Sequence, residues 1–516
     1  MSKIFKTLFL LIFIFTSKVV HSNPSFIIED TEIIGMSSED NVDVYLGVPY
    51  AEAPIGDLRW SKTKTKVFKE DKYYADKFAS ACMQGPRIVN WYRGVAEGFG
   101  GDPNYIDMPE VSEDCLYLNM WVPKGDNKNN KMPVLLYIHG GSNRAGWSFE
   151  PNYIGKKLSQ NGVIVISVSY RLGIFGFYTH PELKVSNFAL YDLIESLKWI
   201  QENISKVGGD PNNVTISGES AGATNVAHLI VSPLGKNLFQ RAIHQSAGWS
   251  IAEIDIIEGD DHKKLSNKLS ISLVNTDNNS NNIKELKKID AIKLLNEAEK
   301  IYGYTGYYPV VDGYSIIEPI YESFKQGNFN HVDLIIGTNA DEELMYLDKD
   351  YYLSDFYDER ESWGFYSDSD DIGVLVKDIK DEKQKLNYLL TARNWTCPSM
   401  FIASAITKYS NKSAWFYSFE RVRDGDKSKE MGAYHGAEIP YIFNTHDKWL
   451  PTNRIDDLLT IKIQKHWVNF LNSGNPNNSY QIWRKFDSEK FNVYSYDRYS
   501  KMKISDATPV CKHLGY

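Results

Sequence analysis

Residues 215–224 read TISGESAGAT, a Gly-x-Ser-x-Gly motif with Ser220 between Gly218 and Gly222. A serine hydroxyl is a weak nucleophile at neutral pH. It needs a histidine base within hydrogen-bond reach and an acid to orient that base. In a chain with 35 glycines the motif alone is weak, and its context decides. The run NVTIS (213–217) reads as a strand entering the motif, and ATNVAHLIV (223–231) reads as a helix leaving it. Strand, tight turn and helix would hold Ser220 at the tip of the turn. The Ala221 N–H, at the helix start, would then point where an oxyanion forms.

In this arrangement the chain order is serine, then acid, then histidine. VDLIIGTNADEE (332–343) is a strand followed by an acidic loop that offers Asp341, Glu342 and Glu343. Four histidines follow it: His435, His446, His466 and His513. His435 lies in GAYHGAEIP between small residues, which suits a substrate-facing imidazole. His466 sits beside Trp467 on an amphipathic helix and His513 in the tail, and both read as packing or surface residues. His228, on the helix after the serine, reads as a packing residue. Oxyanion donors from a second loop are expected in IHGGSNRAG (138–146), where Gly140, Gly141 and Ser142 supply closely spaced N–H groups. No cluster with metal-ligand spacing occurs, and acyl transfer needs no cofactor.

The elements that must position these residues read as an α/β fold. VLLYI (134–138) and VIVISVSY (163–170) are continuous apolar runs of the kind found in sheets covered on both faces. AIHQS (242–246) and VDLIIG (332–337) are further strand candidates. FALYDLIESLKWIQENI (188–204) carries a helical apolar stripe, and GGDP (208–211) reads as a turn. ELKKIDAIKLLNEAEKIY (285–302) and TIKIQKHWVNFLNS (460–473) read as helices that cap the sheet. The polar patches NKNN (127–130), NTDNNSNN (275–282) and YSDSDD (366–371) read as surface loops. The expectation is a large, mostly parallel sheet with helices on both faces, in one domain spanning 23–516.

Composition narrows the function classes. A net charge of -9 with no basic stripe argues against nucleic acid as a partner. Lys3 and Lys6 precede the apolar run LFLLIFIF, which is too short to span a bilayer, and small residues follow at Val20-His21-Ser22. Residues 1–22 are therefore expected to be a cleaved secretory signal, placing the mature chain outside the cell or in a vesicle lumen. No later segment reads as a membrane anchor. Four cysteines imply two disulfides in any of three connectivities; pairing near neighbours would tie down the C-terminal tail. Sequons at Asn203, Asn278, Asn394, Asn411 and Asn477 are candidate glycosylation sites, with Asn213 a weaker one beside the nucleophile strand.

Taken together, the motifs resemble the type-B carboxylesterase and cholinesterase family of α/β-hydrolases. Beyond GESAG, the resemblance rests on LGVPYAEAPIGDLRW (46–60), SEDCLYLNMWVP (112–123), SYRLGIFGF (169–177), GGDPNNVTISGESAG (208–222), VVDG (310–313), GTNADEE (337–343) and YHGAEIPYIF (434–443). It implies an α/β-hydrolase fold with Ser220 as nucleophile, Glu342 as acid and His435 as base. It also implies an oxyanion hole from Gly141, Ser142 and Ala221, and a buried carboxylate at Glu219. The pairs Arg59–Glu113 and Arg171–Asp192 are implied as structural, and the disulfides as Cys82–Cys115 and Cys397–Cys511. The chain departs from the pattern at Ser142 and Glu343, where the family has glycine. Tyr105 falls where cholinesterases carry a choline-binding tryptophan, and Gly303 and Thr305 fall where they carry acyl-pocket phenylalanines. The resemblance therefore implies a general carboxylesterase acting on small-molecule esters rather than a cholinesterase. The competing reading is a catalytically weak or non-enzymatic interaction or storage protein on the same scaffold.

Overall fold

The computed structural model describes residues 23–38, 40–125, 131–248, 259–274, 282–303, 307–446, 449–478 and 482–516. The expected signal segment 1–22, the NKNN patch, most of the NTDNNSNN patch with Asn278, and Thr305 lie outside the described residues.

Eleven strands form the central sheet. In chain order they are β1 (Met36–Ser37), β2 (Val42–Pro49), β3 (Tyr117–Pro123), β4 (Met132–Ile138), β5 (Ile164–Val168) and β6 (Gly209–Glu219). They continue with β7 (Arg241–Gln245), β8 (Asp333–Asn339), β9 (Ala414–Phe419), β10 (Asn492–Tyr496) and β11 (Lys501–Ile504). Their order in space is β11-β10-β9-β8-β7-β6-β4-β5-β3-β2-β1. From β5 to β10 every pairing is parallel, and antiparallel pairs occur only towards the two edges. This is the mostly parallel sheet that the apolar runs predict.

Every residue of β4 and β5 is buried, because helices and loops cover both faces. Side chains alternate across the sheet. Val134, Leu136 and Ile138 join one core, whereas Leu135 and Tyr137 join the other. The helix Phe188–Asn203 packs its stripe of Leu190, Leu193, Ile194, Leu197 and Ile200 into the first of these.

The strand order reverses at β4: the next strand in sequence, β5, lies on one side and β6 on the other. A crevice opens at such a reversal, beyond the carboxyl ends of the strands. Gly218 of β6 is in register with Ile138 of β4. The glycine-rich loop after β4 and the serine turn after β6 therefore leave the sheet side by side.

Three local expectations are corrected. The 285–302 segment is two helices, Asn282–Leu286 and Ala291–Tyr302, because the Asp290 side chain accepts the N–H groups of Ile292 and Lys293 and caps the second. The acidic patch at 366–371 runs into a helix, Ser369–Val376, capped by Asp368 accepting from the Asp371 N–H. The GGDP turn is absorbed into β6, whose register against β4 is irregular between Gly209 and Val214.

Both disulfides are formed, Cys82–Cys115 and Cys397–Cys511. Arg171 grips Asp192 through Nε at 2.8 Å and a terminal nitrogen at 2.7 Å, both side chains being buried. Arg59 Nε donates to Glu113 at 2.6 Å. Two of the five candidate glycosylation sites are corrected. Asn203 is buried with Nδ2 on the Trp199 carbonyl, and Asn394 is buried with Nδ2 on Glu343, so neither amide can carry a glycan in the folded chain. Asn411 is exposed, while both amide hydrogens of Asn477 are engaged, on Asn475 and the Trp483 carbonyl. No helix among the described residues is long and apolar enough to cross a membrane.

Candidate active site

Ser220 adopts φ 56° and ψ -129°, a backbone conformation that L-residues rarely take. It joins β6 directly to the helix Ala221–Val231, so strand, strained turn and helix follow without a spacer. The two flanking glycines are sterically required. A Cβ on Gly222 would meet the Ile138 carbonyl oxygen at 2.1 Å, and one on Gly218 would meet the Gly222 carbonyl carbon at 2.5 Å. The turn is tied to the neighbouring strand by the Ser220 N–H, which donates to the Gln245 carbonyl at 2.9 Å.

The glycine-rich loop lies against this turn. Gly141 has φ 98°, and Ser142 and Asn143 follow at 58° and 55°. Ser142 thus holds the left-handed conformation that glycine would hold in the family pattern. Asn143 fixes the loop in place. Its Nδ2 donates to the Tyr307 carbonyl at 2.7 Å, its Oδ1 accepts from Asn225 at 2.8 Å, and its carbonyl accepts from Gly173 N–H at 2.6 Å. Asn225 belongs to the helix that begins at Ala221, so this one side chain couples the loop to the serine turn. No described hydrogen bond consumes the Gly141 or Ser142 N–H groups, and Ala221, as first residue of its helix, has no intrahelical acceptor.

Three consecutive acids follow β8, and they point three ways. Asp341 accepts from the Ala433 N–H and from Asn387, each at 2.8 Å, and so clamps the loop that carries His435. Glu342 is fully buried. One of its oxygens accepts the Asn339 N–H at 2.7 Å and the other lies 2.7 Å from His435 Nδ1. Glu343 turns to Asn394 and Trp395. The remaining candidate histidines are engaged elsewhere: His446 with Arg423, His466 with Tyr496 and His513 with Ser367. His228 bonds the Thr224 carbonyl, and burial lowers its pKa to about 4, as suits a packing residue.

Ser220, His435, Gly141, Ser142 and Ala221 all line one cavity of about 370 Å³. No described hydrogen bond joins the Ser220 hydroxyl to His435. Nε2 of the imidazole lies 3.2 Å from Glu219 Oε1, an oxygen that makes no aligned hydrogen bond. Nε2 is therefore not committed to another acceptor. Burial by itself lowers the His435 pKa, but the charges of Glu219 and Glu342 outweigh it and raise it to about 9. Burial raises Glu219 to about 8, with His435 opposing and Glu438 and Glu342 reinforcing. The charge on each group thus bears on the titration of the other.

Several residues at the site carried no signal in the sequence. Trp91 and Trp395 line the cavity from distant segments, and the Trp395 ring packs on His435 with centroids 4.6 Å apart. Trp395 sits in a π-helical turn, Ala392–Thr396, a distortion that often marks functional sites. Glu438, three residues after His435, accepts from Gln245 at 2.9 Å and Asn339 at 2.7 Å, bracing the floor beneath the acid loop. That spacing was visible in YHGAEIP, but only the fold brings Gln245 and Asn339 to it. Tyr105, where cholinesterases carry the choline-binding tryptophan, is 38% exposed and is not among the residues lining the cavity, where Trp91 supplies an aromatic face. Of the acyl-pocket segment, Tyr308 reaches the cavity wall, while Tyr307 stacks on Tyr302.

Residues 27–513 match the model of the carboxylesterase family. The chain is 29% identical over 477 residues to the para-nitrobenzyl esterase of Bacillus subtilis strain 168, covering 88% of this chain and 91% of the relative. It is 30% identical over 432 residues to the fumonisin B1 esterase of Sphingopyxis macrogoltabida, covering 78% and 72%. A solved structure of a PNB esterase superimposes with a TM-score of 0.80 at 26% identity, over 96% of this chain and 99% of that one. The sheet order and the turn at Ser220 are thus those of an α/β-hydrolase. The chain belongs to the carboxylesterase family, a family of carboxylic-ester hydrolases.

Proposed function

We propose that the chain is a serine carboxylesterase acting by two-step acyl transfer. The observation that carries this reading is the 2.7 Å contact between Glu342 and Nδ1 of an imidazole that shares a cavity with the strained Ser220. In the first step Ser220 Oγ attacks the ester carbonyl while His435 Nε2 takes the hydroxyl proton. Glu342 keeps the Nδ1 proton in place and stabilises the imidazolium as it forms. The carbonyl oxygen gains negative charge against the N–H groups of Gly141, Ser142 and Ala221. His435 then protonates the departing alcohol, leaving an acyl group on Ser220. A water molecule, deprotonated by the same nitrogen, hydrolyses that acyl-enzyme and restores the serine.

The wall of the cavity supports small-molecule esters of mixed character. Trp91, Tyr308, Tyr346 and Trp395 offer apolar faces, and Glu219 and Glu343 offer polar ones. We further propose that residues 23–516 act as one catalytic domain in the secretory pathway. The basic and apolar run at 1–22, the two disulfides and the exposed sequon at Asn411 support this.

The test is hydrolysis of p-nitrophenyl butyrate by the mature chain and by Ser220→Ala. Turnover is expected in the first and a loss of about 10⁴-fold or more in the second. One equivalent of an organophosphate should label the native protein and leave Ser220→Ala unlabelled. Turnover that survives the substitution would refute the assignment.

A further inference from the structure

Glu343 takes no part in the acyl-transfer steps, yet it is a buried acid on the cavity wall, 8% exposed. One oxygen, Oε1, is fully used: it accepts from Asn394 Nδ2 and from Trp395 Nε1, both at 2.7 Å. Oε2 accepts nothing among the described residues, and no described ion pair brings a cation to this carboxyl. Burial raises its pKa, with the Asn394 and Trp395 hydrogen bonds opposing. Oε2 is not among the fully buried polar atoms left without a partner, so it is reachable from the cavity that Glu343 lines, where a donor on a ligand can meet it. A purely structural anchor for the π-helical turn would need Oε1 alone.

The position is also close to the chemistry. Glu343 directly follows Glu342, and the indole whose N–H it accepts packs on the His435 ring with centroids 4.6 Å apart. A group on the substrate that reached Oε2 would be near the scissile ester. The same wall carries the aromatic faces of Trp91, Tyr308 and Tyr346, against which the carboxyl oxygen is a directional polar feature. Such a site discriminates strongly, because an analogue lacking the donor leaves a buried polar atom unpaired.

We propose that Glu343 is a specificity-determining residue whose Oε2 receives a hydrogen-bond donor, a hydroxyl or a protonated amine, borne by the substrate close to its ester group. This rests on the serine-esterase reading above. The shared chemistry is donation to a carboxyl oxygen. A quaternary ammonium, which has charge but no N–H, is not the group this site is built for.

The experiment compares kcat/KM for matched butyrates: propyl, hydroxyethyl, dimethylaminoethyl and choline. A second arm, ethyl butyrate against ethyl beta-hydroxybutyrate, puts the donor on the acyl side. Active sites are counted by organophosphate titration, so that misfolded protein is excluded from each rate. In the native protein, donor-bearing esters are expected to exceed their donor-free partners by about 10-fold or more in at least one arm. Glu343→Ala should bring that ratio to about one. Glu343→Gln is the second variant: its carbonyl can keep Asn394 and Trp395 while its NH₂ faces the cavity. It should retain preference for a hydroxyl, which can accept, and lose preference for the protonated amine, which cannot. Ratios equal to one in the native protein, or unchanged in both variants, would overturn the proposal even though the plain esters are hydrolysed. Failure of the plain esters themselves, or their survival in Ser220→Ala, would instead overturn the esterase reading.

Discussion

Nδ1 of His435 lies 2.7 Å from Oε2 of Glu342, and the other oxygen of that carboxyl is held 2.7 Å from the Asn339 N–H. One oxygen of the acid is therefore anchored to the backbone while the other meets the imidazole. In the mechanism proposed above, an imidazole oriented in this way needs little reorganisation when the serine proton moves.

Glu342→Gln keeps the size of this side chain and removes its charge. The amide can present its NH₂ to Nδ1, forcing the tautomer in which Nε2 carries the proton and cannot act as base. We expect kcat on p-nitrophenyl butyrate to fall by about 10³-fold or more, with KM changed far less. A KM that rose with kcat intact would mean that Glu342 shapes the cavity rather than the base.

The pH profile follows from the carboxylates around His435. The mechanism proposed above requires the unprotonated imidazole, so kcat/KM should fall as pH drops through the His435 pKa, which is raised above 6.5. Among the charges that raise it, Glu219 is the largest. Glu219→Gln removes that charge, and the acid limb of kcat/KM should move to lower pH by roughly one unit. An unmoved limb would mean that Glu219 carries no charge over that range and would leave Glu342 alone to raise the histidine.

The two disulfides should differ in what they contribute to stability. Cys397–Cys511 spans 114 residues and Cys82–Cys115 spans 33. Loop-closure entropy then favours the longer link, at about 5 against about 4 kcal/mol. Replacing Cys397 and Cys511 with alanine should lower the urea midpoint more than replacing Cys82 and Cys115. It should also lower kcat, because Cys397 begins the helix that follows the π-helical turn bearing Asn394 and Trp395. Equal urea shifts for the two pairs would mean that the unfolded chain is already compact across the longer loop.

The turn at Ser220 was legible from ten residues, because its physics is local. A strand enters, a helix leaves, and the flanking positions have no space for a Cβ. The parallel sheet was legible for a similar reason, since strands covered on both faces must be apolar throughout. Boundaries were less so. A helical stripe ran through 285–302 without revealing that Asp290 would interrupt it to cap the second half. The sequons at Asn203 and Asn394 satisfy a local rule for modification, but burial, a property of the whole fold, takes both amides away.

By itself, the sequence determined which residue types could do acyl transfer, their order along the chain and the sheet that would carry them. The resemblance singled out Glu342 among three adjacent acids, but only the tertiary structure decided what each of the three touches. Asp341 holds the histidine loop, Glu342 orients the imidazole 93 residues further on, and Glu343 faces the cavity beside Trp395. Side chains one residue apart are nearly interchangeable in any pattern of composition or period. They become distinct only when distant segments arrive to offer each a different partner.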